Sequence, residues 1–273
     1  MELIATYLPW VLAMAATGVA AGFVAGLLGV GGGIIIVPVL DVVLGIFGVD
    51  PSIRMKIAVS TSLATIVFTS MSSARAHYKK GAIDFDILKT WGPMIFVGVL
   101  IGTFVAGSVD GRVLSLVFAV VALLVAANMI LRAKSHALMP AFPNVAVKGG
   151  LGLVVGAISA MMGIGGGTLS VPILTAFGTD IRRAVATGAA IGFVIAIPGT
   201  IGYIIAGWNA PGLPPGSLGF VNLLAFICII PLSMLAAPWG AKVAHSIDRK
   251  YLSYGFGCFL VATSIKMFWG LLG

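Results

Sequence analysis

The stretch GLLGVGGGIIIVPVL occupies residues 26–40, and a second version of it, AMMGIGGGTLSVPIL, occupies residues 160–174. Each stretch contains three consecutive glycines inside an otherwise apolar run. Because a glycine cluster interrupts a transmembrane helix, the two stretches predict a helix break at the same position in two related units. Matching breaks in the two halves of a membrane protein are typical of a transporter's substrate site.

The composition of the chain excludes a water-soluble domain. Of its 273 residues, 60% are hydrophobic and only 9% are charged, and the mean hydropathy is +1.15. A soluble domain carries about 25% charged residues. The apolar runs are continuous and do not alternate with polar residues, which argues against an outer-membrane barrel. We therefore predict an all-α polytopic membrane protein whose outer surface contacts the lipid bilayer.

The similarity between the two halves extends well beyond the glycine stretches. AVSTSL at residues 58–63 matches AVATGA at residues 184–189. Further along, VDGRVLS at residues 109–115 matches IDRKYLS at residues 247–253. Self-similarity of this extent predicts two copies of one membrane unit.

These matches divide the chain into a first membrane repeat at residues 1–131, a linker at 132–147 and a second repeat at 148–273. Each repeat holds about five apolar segments, as expected for a duplicated transporter unit. In the pair at 149–163 and 168–178, the eleven residues of the second segment would extend only about 16 Å as a helix, against a core of about 30 Å. We predict a re-entrant hairpin or a discontinuous helix with glycines at its tip, and leave open whether this pair crosses the bilayer.

The positions of the basic residues choose between two topologies. If each glycine-broken pair enters and leaves on one side, or crosses twice, twelve of the sixteen Lys and Arg residues fall on one face. The other face carries Arg54, Lys56 and Arg112, while Lys266 lies within the last segment. If each pair made one broken span, the division would be seven against eight. The positive-inside rule therefore predicts inverted-topology repeats with both termini outside the cytoplasm.

Several other classes of function find no support in the sequence. The net charge of +8 is accounted for by loops between spans, so no nucleic-acid partner is predicted. Cys228 and Cys258 lie far apart in apolar runs and indicate neither a disulfide nor a metal site. No hydrolase, zinc-protease or nucleotide-binding motif occurs, so we predict no enzyme, no catalytic residue, no metal and no cofactor. The sequence leaves the oligomeric state open.

The glycine breaks predict an anion site. A helix that begins after each triple glycine leaves its first N–H groups without intrahelical partners, and about half a positive charge accumulates at that end. Two such ends that meet would surround an oxyanion, although close helix packing is the alternative explanation for the glycines. The backbone groups predicted to bind are those of Gly31, Gly32, Gly33 and Ile34, and of Gly165, Gly166, Gly167 and Thr168.

Hydroxyl side chains at the start of a long span complete the predicted site. They are Ser60, Thr61 and Ser62, and the matching positions of the second half include Thr187 and Gly188. Hydroxyl groups donate hydrogen bonds to an anion. The alternative is that they bond to carbonyl groups of their own helix.

Two residues are candidates for carrying a coupling proton. Asp41 lies in an apolar segment, where an acidic side chain often faces a polar cavity. His77 ends a span on the basic face. The alternatives are a loop carboxylate for Asp41 and a structural histidine for His77.

The phrases at residues 29–38 and 163–172, with AVSTSL at 58–63 and HYKKGAID at 77–84, resemble the sulfite exporter TauE/SafE family. The resemblance covers essentially the whole chain. It implies a bacterial-type, multi-pass inner-membrane permease for sulfite or small organosulfonates. A sulfonate presents three acceptor oxygens, which fits the N–H groups of the glycine breaks. The second half departs from the pattern, because nothing in it is equivalent to His77.

Together these observations predict a secondary transporter for a small sulfur oxyanion that works by alternating access. Energy would come from an ion gradient or the substrate gradient, and proton coupling rests on Asp41 and His77. A passive anion channel or facilitator is the alternative, and its flux would not saturate.

Overall fold

The computed structural model describes residues 2–28, 32–131, 141–244 and 249–272. Within them the chain forms ten α-helices and one β-hairpin. The helices are α1 Glu2–Leu28, α2 Gly33–Ile46, α3 Pro51–Lys79, α4 Phe85–Ser108, α5 Gly111–Leu131, α6 Val145–Met162, α7 Gly166–Ala176, α8 Ile181–Ala206, α9 Leu223–Ala244 and α10 Arg249–Leu272. The strands are β1 Ser217–Leu218 and β2 Val221–Asn222.

Six of the described helices are long and apolar enough to cross a membrane, namely α1, α3, α4, α5, α6 and α8. The chain is therefore an all-α multi-pass membrane protein, as predicted. Helix α6 has 18 residues and is longer than the predicted segment at 149–163. It begins at Val145 because the Asn144 side chain caps it by accepting a hydrogen bond from the Val147 N–H.

Helices α2 and α7 are short, with 14 and 11 residues. They extend only about 21 Å and 16 Å, so neither helix alone crosses a bilayer core of about 30 Å. Each follows a long helix, α1 or α6, across a glycine break. The same order of a long and a short helix thus occurs in both halves.

The apolar run at residues 217–240 begins with a β-hairpin instead of a helix. Gly216 and Gly219 adopt positive φ angles of 75° and 56°, which favour turns. The Asn222 side chain then accepts a hydrogen bond from the Ala225 N–H at 2.9 Å, and α9 begins between them at Leu223. The hairpin therefore precedes the helix because local turn residues override the apolar run.

Glycines bring two pairs of parallel helices into backbone contact, α1 with α9 and α6 with α4. In each pair a glycine on one helix lies against the partner helix. The facing residues are Gly18 with Ile229, Gly22 with Ser233, Gly152 with Trp91, and Gly156 with Ile95. The glycines of α1 and α6 hold equivalent positions in the two repeats. These matched contacts support the inverted-repeat arrangement, which remains a prediction.

Helices α3 and α8 cross in opposite directions at the centre of the bundle. Leu63 of α3 lies at Gly199 of α8, whereas the later residue Ser70 lies at the earlier residue Gly192. Antiparallel contact between the two equivalent helices is what an inverted relation requires. This crossing positions the backbone of both helices beside the glycine breaks.

Basic residues that the topology prediction assigns to opposite faces lie at opposite ends of the bundle. At one end, Lys56 Nζ donates a hydrogen bond to the Gly107 carbonyl at 3.0 Å, and Arg54 lies half a turn earlier on α3. At the opposite end, Arg183 Nη1 lies 3.4 Å from Asp84 Oδ2. The direction in which these ends face across a cell membrane remains a prediction.

Candidate functional site

The two glycine breaks meet in the interior. A Cβ atom built on Gly33 would lie 2.5 Å from the Gly163 carbonyl oxygen and 2.9 Å from Ser62 Oγ. Gly33 begins α2, and Gly163 follows the last residue of α6. Ser62 lies eleven residues into α3, or about 16 Å, which is near the middle of a core of about 30 Å. The structure therefore brings together the two breaks that the sequence indicates.

The glycines are also required by the local packing. Gly32 and Gly163 have φ angles of 76° and 66°, in the left-handed region that side-chain-bearing residues rarely adopt. A Cβ on Gly166 would lie 2.6 Å from the Gly192 nitrogen and 2.7 Å from the Gly188 carbonyl oxygen. Close packing therefore explains why glycine occupies these positions. This packing still leaves the first residues of α2 and α7 at the glycine breaks. Close packing and an anion site are therefore compatible.

The starts of α2 and α7 lack the side-chain cap that six other helices have. Their N-cap residues, Gly32 and Gly165, provide no side-chain hydrogen bond. Six other helices begin at a side-chain cap: Asp50, Asp84, Asp110, Asn144, Asp180 and Asn222. The first N–H groups of α2 and α7 thus lack a capping side chain, and each end carries about half a positive charge. Two such ends in a buried region are suited to bind an anion.

The backbone residues predicted for the site are buried where they are described. Gly33 and Ile34 begin α2, and Gly166, Gly167 and Thr168 begin α7. Gly31, which was also predicted, lies outside the described residues. The predicted backbone set thus consists of the starts of two helices, each of which follows a glycine break.

Two predicted hydroxyl groups are engaged away from the break. Ser60 Oγ donates a hydrogen bond to the Phe220 carbonyl at 2.6 Å. Thr61 Oγ1 accepts one from the Asn222 N–H at 2.9 Å. These bonds fasten the hairpin before α9 to α3, so both residues have a structural role in this conformation.

Thr187 and Gly188 lie on the part of α8 that runs beside α7. A Cβ on Gly188 would lie 3.2 Å from the Gly167 Cα. Thr187 Oγ1 accepts a hydrogen bond from the Asp84 N–H at 3.0 Å, which fastens the start of α4 to α8. Gly188 therefore borders the break, whereas the Thr187 oxygen is bonded to another helix.

Ser62 is the predicted α3 hydroxyl that lies at the break. It is fully buried, and its Oγ donates a hydrogen bond to the Gly163 carbonyl at 2.7 Å. We expect Ser62→Ala to lower the free energy of unfolding by about 1–2 kcal/mol, because a buried carbonyl loses its donor. Thermal unfolding of the purified protein in detergent measures this loss. Ser115→Ala is the control, since Ser115 bonds within its own helix; equal midpoints for both variants would contradict the prediction.

Four hydroxyl oxygens are buried without a hydrogen-bond partner in the part of the chain that the structure describes: Ser159, Thr168, Ser170 and Thr200. The first three flank the break between α6 and α7. Thr168 was predicted from the sequence, whereas Ser159 and Ser170 were not. Comparing the two repeats position by position would have found them, because the signal is a polar residue opposite an apolar one. The equivalent residues of the first half are Ala25, Ile34 and Ile36.

Asp41 is a buried carboxylate at the centre of a partly exposed ion-pair network. Its Oδ1 accepts a hydrogen bond from Arg54 Nε at 2.8 Å, and its Oδ2 lies 3.2 Å from Lys266 Nζ. Asp41 lies within α2 and is not a loop residue. The network joins α2, α3 and α10. His77 lies 23 residues beyond Arg54 on α3, or about 34 Å, so the structure does not bring the two coupling candidates together.

The sequence model of the sulfite exporter TauE/SafE family matches residues 14–267. The chain belongs to this family. The family resemblance carried by the glycine phrases is thereby confirmed. Three relatives of this TauE/SafE protein are described as probable membrane transporter proteins.

These relatives match the TauE/SafE chain over most of their own length. One from Haemophilus influenzae is 36% identical over 253 residues, which cover 92% of this chain and 95% of the relative. One from Methanocaldococcus jannaschii is 30% identical over 85% of this chain and 86% of the relative. YunE of Bacillus subtilis is 28% identical, with the same two coverages. No solved structure matches the chain. The family and the relatives support a membrane transporter, a class that in general does not comprise enzymes.

Proposed function

We propose that this TauE/SafE protein is a secondary transporter that moves sulfite or a small organosulfonate across the cytoplasmic membrane. One observation carries the proposal. Two helices without side-chain caps, one from each half, begin at or just after the buried contact between Gly33 and Gly163: α2 begins at Gly33 itself, and α7 begins three residues after Gly163. Each helix start presents N–H groups and about half a positive charge, which suits an oxyanion.

The proposed binding groups are a subset of those predicted from the sequence. The backbone at residues 31–34 and 165–168 binds the anion, and the Ser62 side chain holds the break in place. Ser60, Thr61 and Thr187 position the surrounding helices, as their bonds to Phe220, Asn222 and Asp84 support. No metal or cofactor is part of the proposal.

Transport is proposed to occur by alternating movement of two inverted repeats, residues 1–131 and 148–273, around this site. The matched glycine contacts of α1 with α9 and of α6 with α4 support the repeat. The more basic end of the bundle is proposed to face the cytoplasm, which leaves both termini on the opposite side.

The energy source is proposed to be an ion or substrate gradient, because the sequence contains no nucleotide-binding motif. The contacts of Asp41 with Arg54 and Lys266 favour an ion-pair role over proton transfer. His77 is then the remaining candidate among the residues predicted to carry a proton.

Flux in proteoliposomes tests the proposal. Radiolabelled sulfite and ethanesulfonate are presented with and without an imposed pH gradient, and protein-free liposomes are the control. We expect saturable uptake of at least one anion, and accumulation driven by the pH gradient would add proton coupling. Flux that does not saturate would replace the carrier with a passive channel. No flux of either anion would contradict the proposed substrate.

A further inference from the structure

We propose that the anion is bound asymmetrically, with the hydroxyl groups of Ser159 and Thr168 donating hydrogen bonds to it from the second half alone. This inference rests on the proposed function, because it assigns the donors of the same site. The first half contributes backbone N–H groups at the start of α2, and its hydroxyl at the break, Ser62, already donates to the Gly163 carbonyl.

The state of these hydroxyls is unusual for this protein. Other buried hydroxyls bond to a carbonyl about one turn earlier in their own helix: Thr17 to Ala13, Thr65 to Ser62, and Thr103 to Val99, each at 2.7 Å. Ser159, Thr168 and Ser170 are at most 4% exposed and have no partner in the described part of the chain. A buried hydroxyl without a partner destabilises a protein. A ligand that accepts hydrogen bonds provides the missing partner.

Ser159 and Thr168 lie on the two sides of the same break. Ser159 is in the last turn of α6, and Thr168 is the third residue of α7. Their hydroxyls can add side-chain donors to the first N–H groups of α7, whose N-cap Gly165 provides no side-chain hydrogen bond. Ser170 is two residues after Thr168, about 200° around the helix, so it faces the opposite side of α7 and is not part of the proposed site. Hydrogen bonds to an ionised acceptor are stronger than those between neutral groups.

The charge at this break selects an anion over a cation. The start of α7 carries about half a positive charge, which repels a metal ion or an ammonium group. Helices α6 and α7 contain no acidic residue, and Asp84, whose N–H bonds to Thr187 beside the break, has its carboxylate paired with Arg183. Hydroxyl groups that are not joined by an unpaired carboxylate are a poor cation site, so an oxyanion is the ligand that fits.

The first half is apolar at the equivalent positions. Ala25 and Ile34 replace Ser159 and Thr168, and Ile34 is 1% exposed. An anion with one apolar end can therefore place that end against these side chains, while its oxygens accept hydrogen bonds from the hydroxyls and the helix N–H groups. Sulfate would place a fourth oxygen, in place of an alkyl group, against Ile34. We expect ethanesulfonate to bind more tightly than sulfate for this reason.

Replacement of the hydroxyls without a change of shape tests the assignment. We expect Thr168→Val to raise the KM for ethanesulfonate by about 10- to 100-fold, because a bond to a charged ligand is lost. Ser159→Ala is expected to act in the same direction, and Thr168→Ser to retain the wild-type KM. Thr103→Val and Thr175→Val are matched controls, since their hydroxyls bond to Val99 and Val171. Wild-type KM values in both Thr168→Val and Ser159→Ala would overturn the assignment.

Thermal unfolding separates ligand binding from a structural role. Without ligand, Thr168→Val is expected to keep or raise the unfolding midpoint, because an unpartnered buried hydroxyl is removed. Thr103→Val is expected to lower it. Ethanesulfonate is expected to raise the midpoint of the wild type and not that of Thr168→Val. A lower midpoint of ligand-free Thr168→Val would indicate a structural hydroxyl and overturn the assignment.

The two proposals fail in different ways. Wild-type flux with unchanged KM in the hydroxyl variants would overturn the asymmetric site and leave the transporter intact. Absence of flux for both sulfur anions would contradict the proposed function. In that case, the thermal unfolding midpoint of the wild type is measured with ethanesulfonate, sulfite, sulfate and phosphate. If none of these anions shifts it, the hydroxyl assignment is also overturned. A shift that Thr168→Val abolishes would support the site for a different oxyanion.

Discussion

Gly156→Ala is expected to lower the free energy of unfolding by about 3 kcal/mol or more, since overpacking is most severe against backbone that cannot relax. A Cβ at Gly156 would overlap the Ile95 carbonyl, which belongs to the parallel helix α4. Relief of the overlap requires the two helices to separate. Gly22→Ala is expected to lose a similar amount, because its Cβ would overlap the Ser233 carbonyl of α9.

Gly150→Ala is the matched control in the same helix. No atom lies within 4 Å of a Cβ built at Gly150, so the substitution is expected to be neutral or slightly stabilising. Unfolding midpoints in detergent compare the three variants. If Gly156→Ala behaves like Gly150→Ala, the described contact between α4 and α6 is wrong. A large loss at Gly156 with none at Gly22 would contradict equivalent packing of the two repeats.

The same geometry decides which substitutions test ligand binding. A side chain at Gly166 would collide with the backbone of α8 at Gly188 and Gly192. Loss of transport in a Gly166 variant would therefore report damaged packing as readily as a damaged site. Variants of Thr168 avoid this ambiguity because they keep the shape of the helix start.

Asp41→Asn is expected to lower the free energy of unfolding by about 2–3 kcal/mol. Asp41 is 5% exposed, and its replacement leaves Arg54 and Lys266 without their acceptor. The loss is smaller than for a fully buried pair, because the side chains of these partners are 26% and 45% exposed. Asp86→Asn is the control, since Asp86 is an exposed carboxylate on α4.

A second substitution and a flux measurement show what Asp41 does. If the network is structural, Asp41→Asn combined with Lys266→Met is expected to recover part of the lost stability. The dependence of flux on pH is then expected to match the wild type. Loss of gradient-driven accumulation with retained exchange would instead assign a coupling proton to Asp41.

Local features of the chain explain why most of the fold could be predicted. Apolar runs and their glycine, proline and aspartate boundaries place the helices. The start of α6 at Val145 and the hairpin before α9 were missed. The first depends on capping by the Asn144 side chain, and the second on turns at Gly216 and Gly219 followed by the Asn222 cap, none of which hydropathy detects.

The candidate site was predicted only in outline. The doubled phrase identifies the breaks, but the bonding state of each hydroxyl depends on distant residues. Ser60 bonds to Phe220, 160 positions away, and Asp41 pairs with Lys266, 225 positions away. No local pattern of residues indicates such partners. Ser159 and Ser170 were missed for the converse reason, since a serine in a helix ordinarily bonds to its own backbone.

The sequence alone determined the membrane class, the family and the position of the two glycine breaks, because hydropathy and backbone freedom are properties of each segment by itself. The tertiary structure decided that Gly33 meets Gly163, that Asp41 is held between two cations, and which hydroxyls remain unpaired. Those outcomes depend on how helices from the two halves pack. Packing brings together atoms that the order of residues keeps far apart.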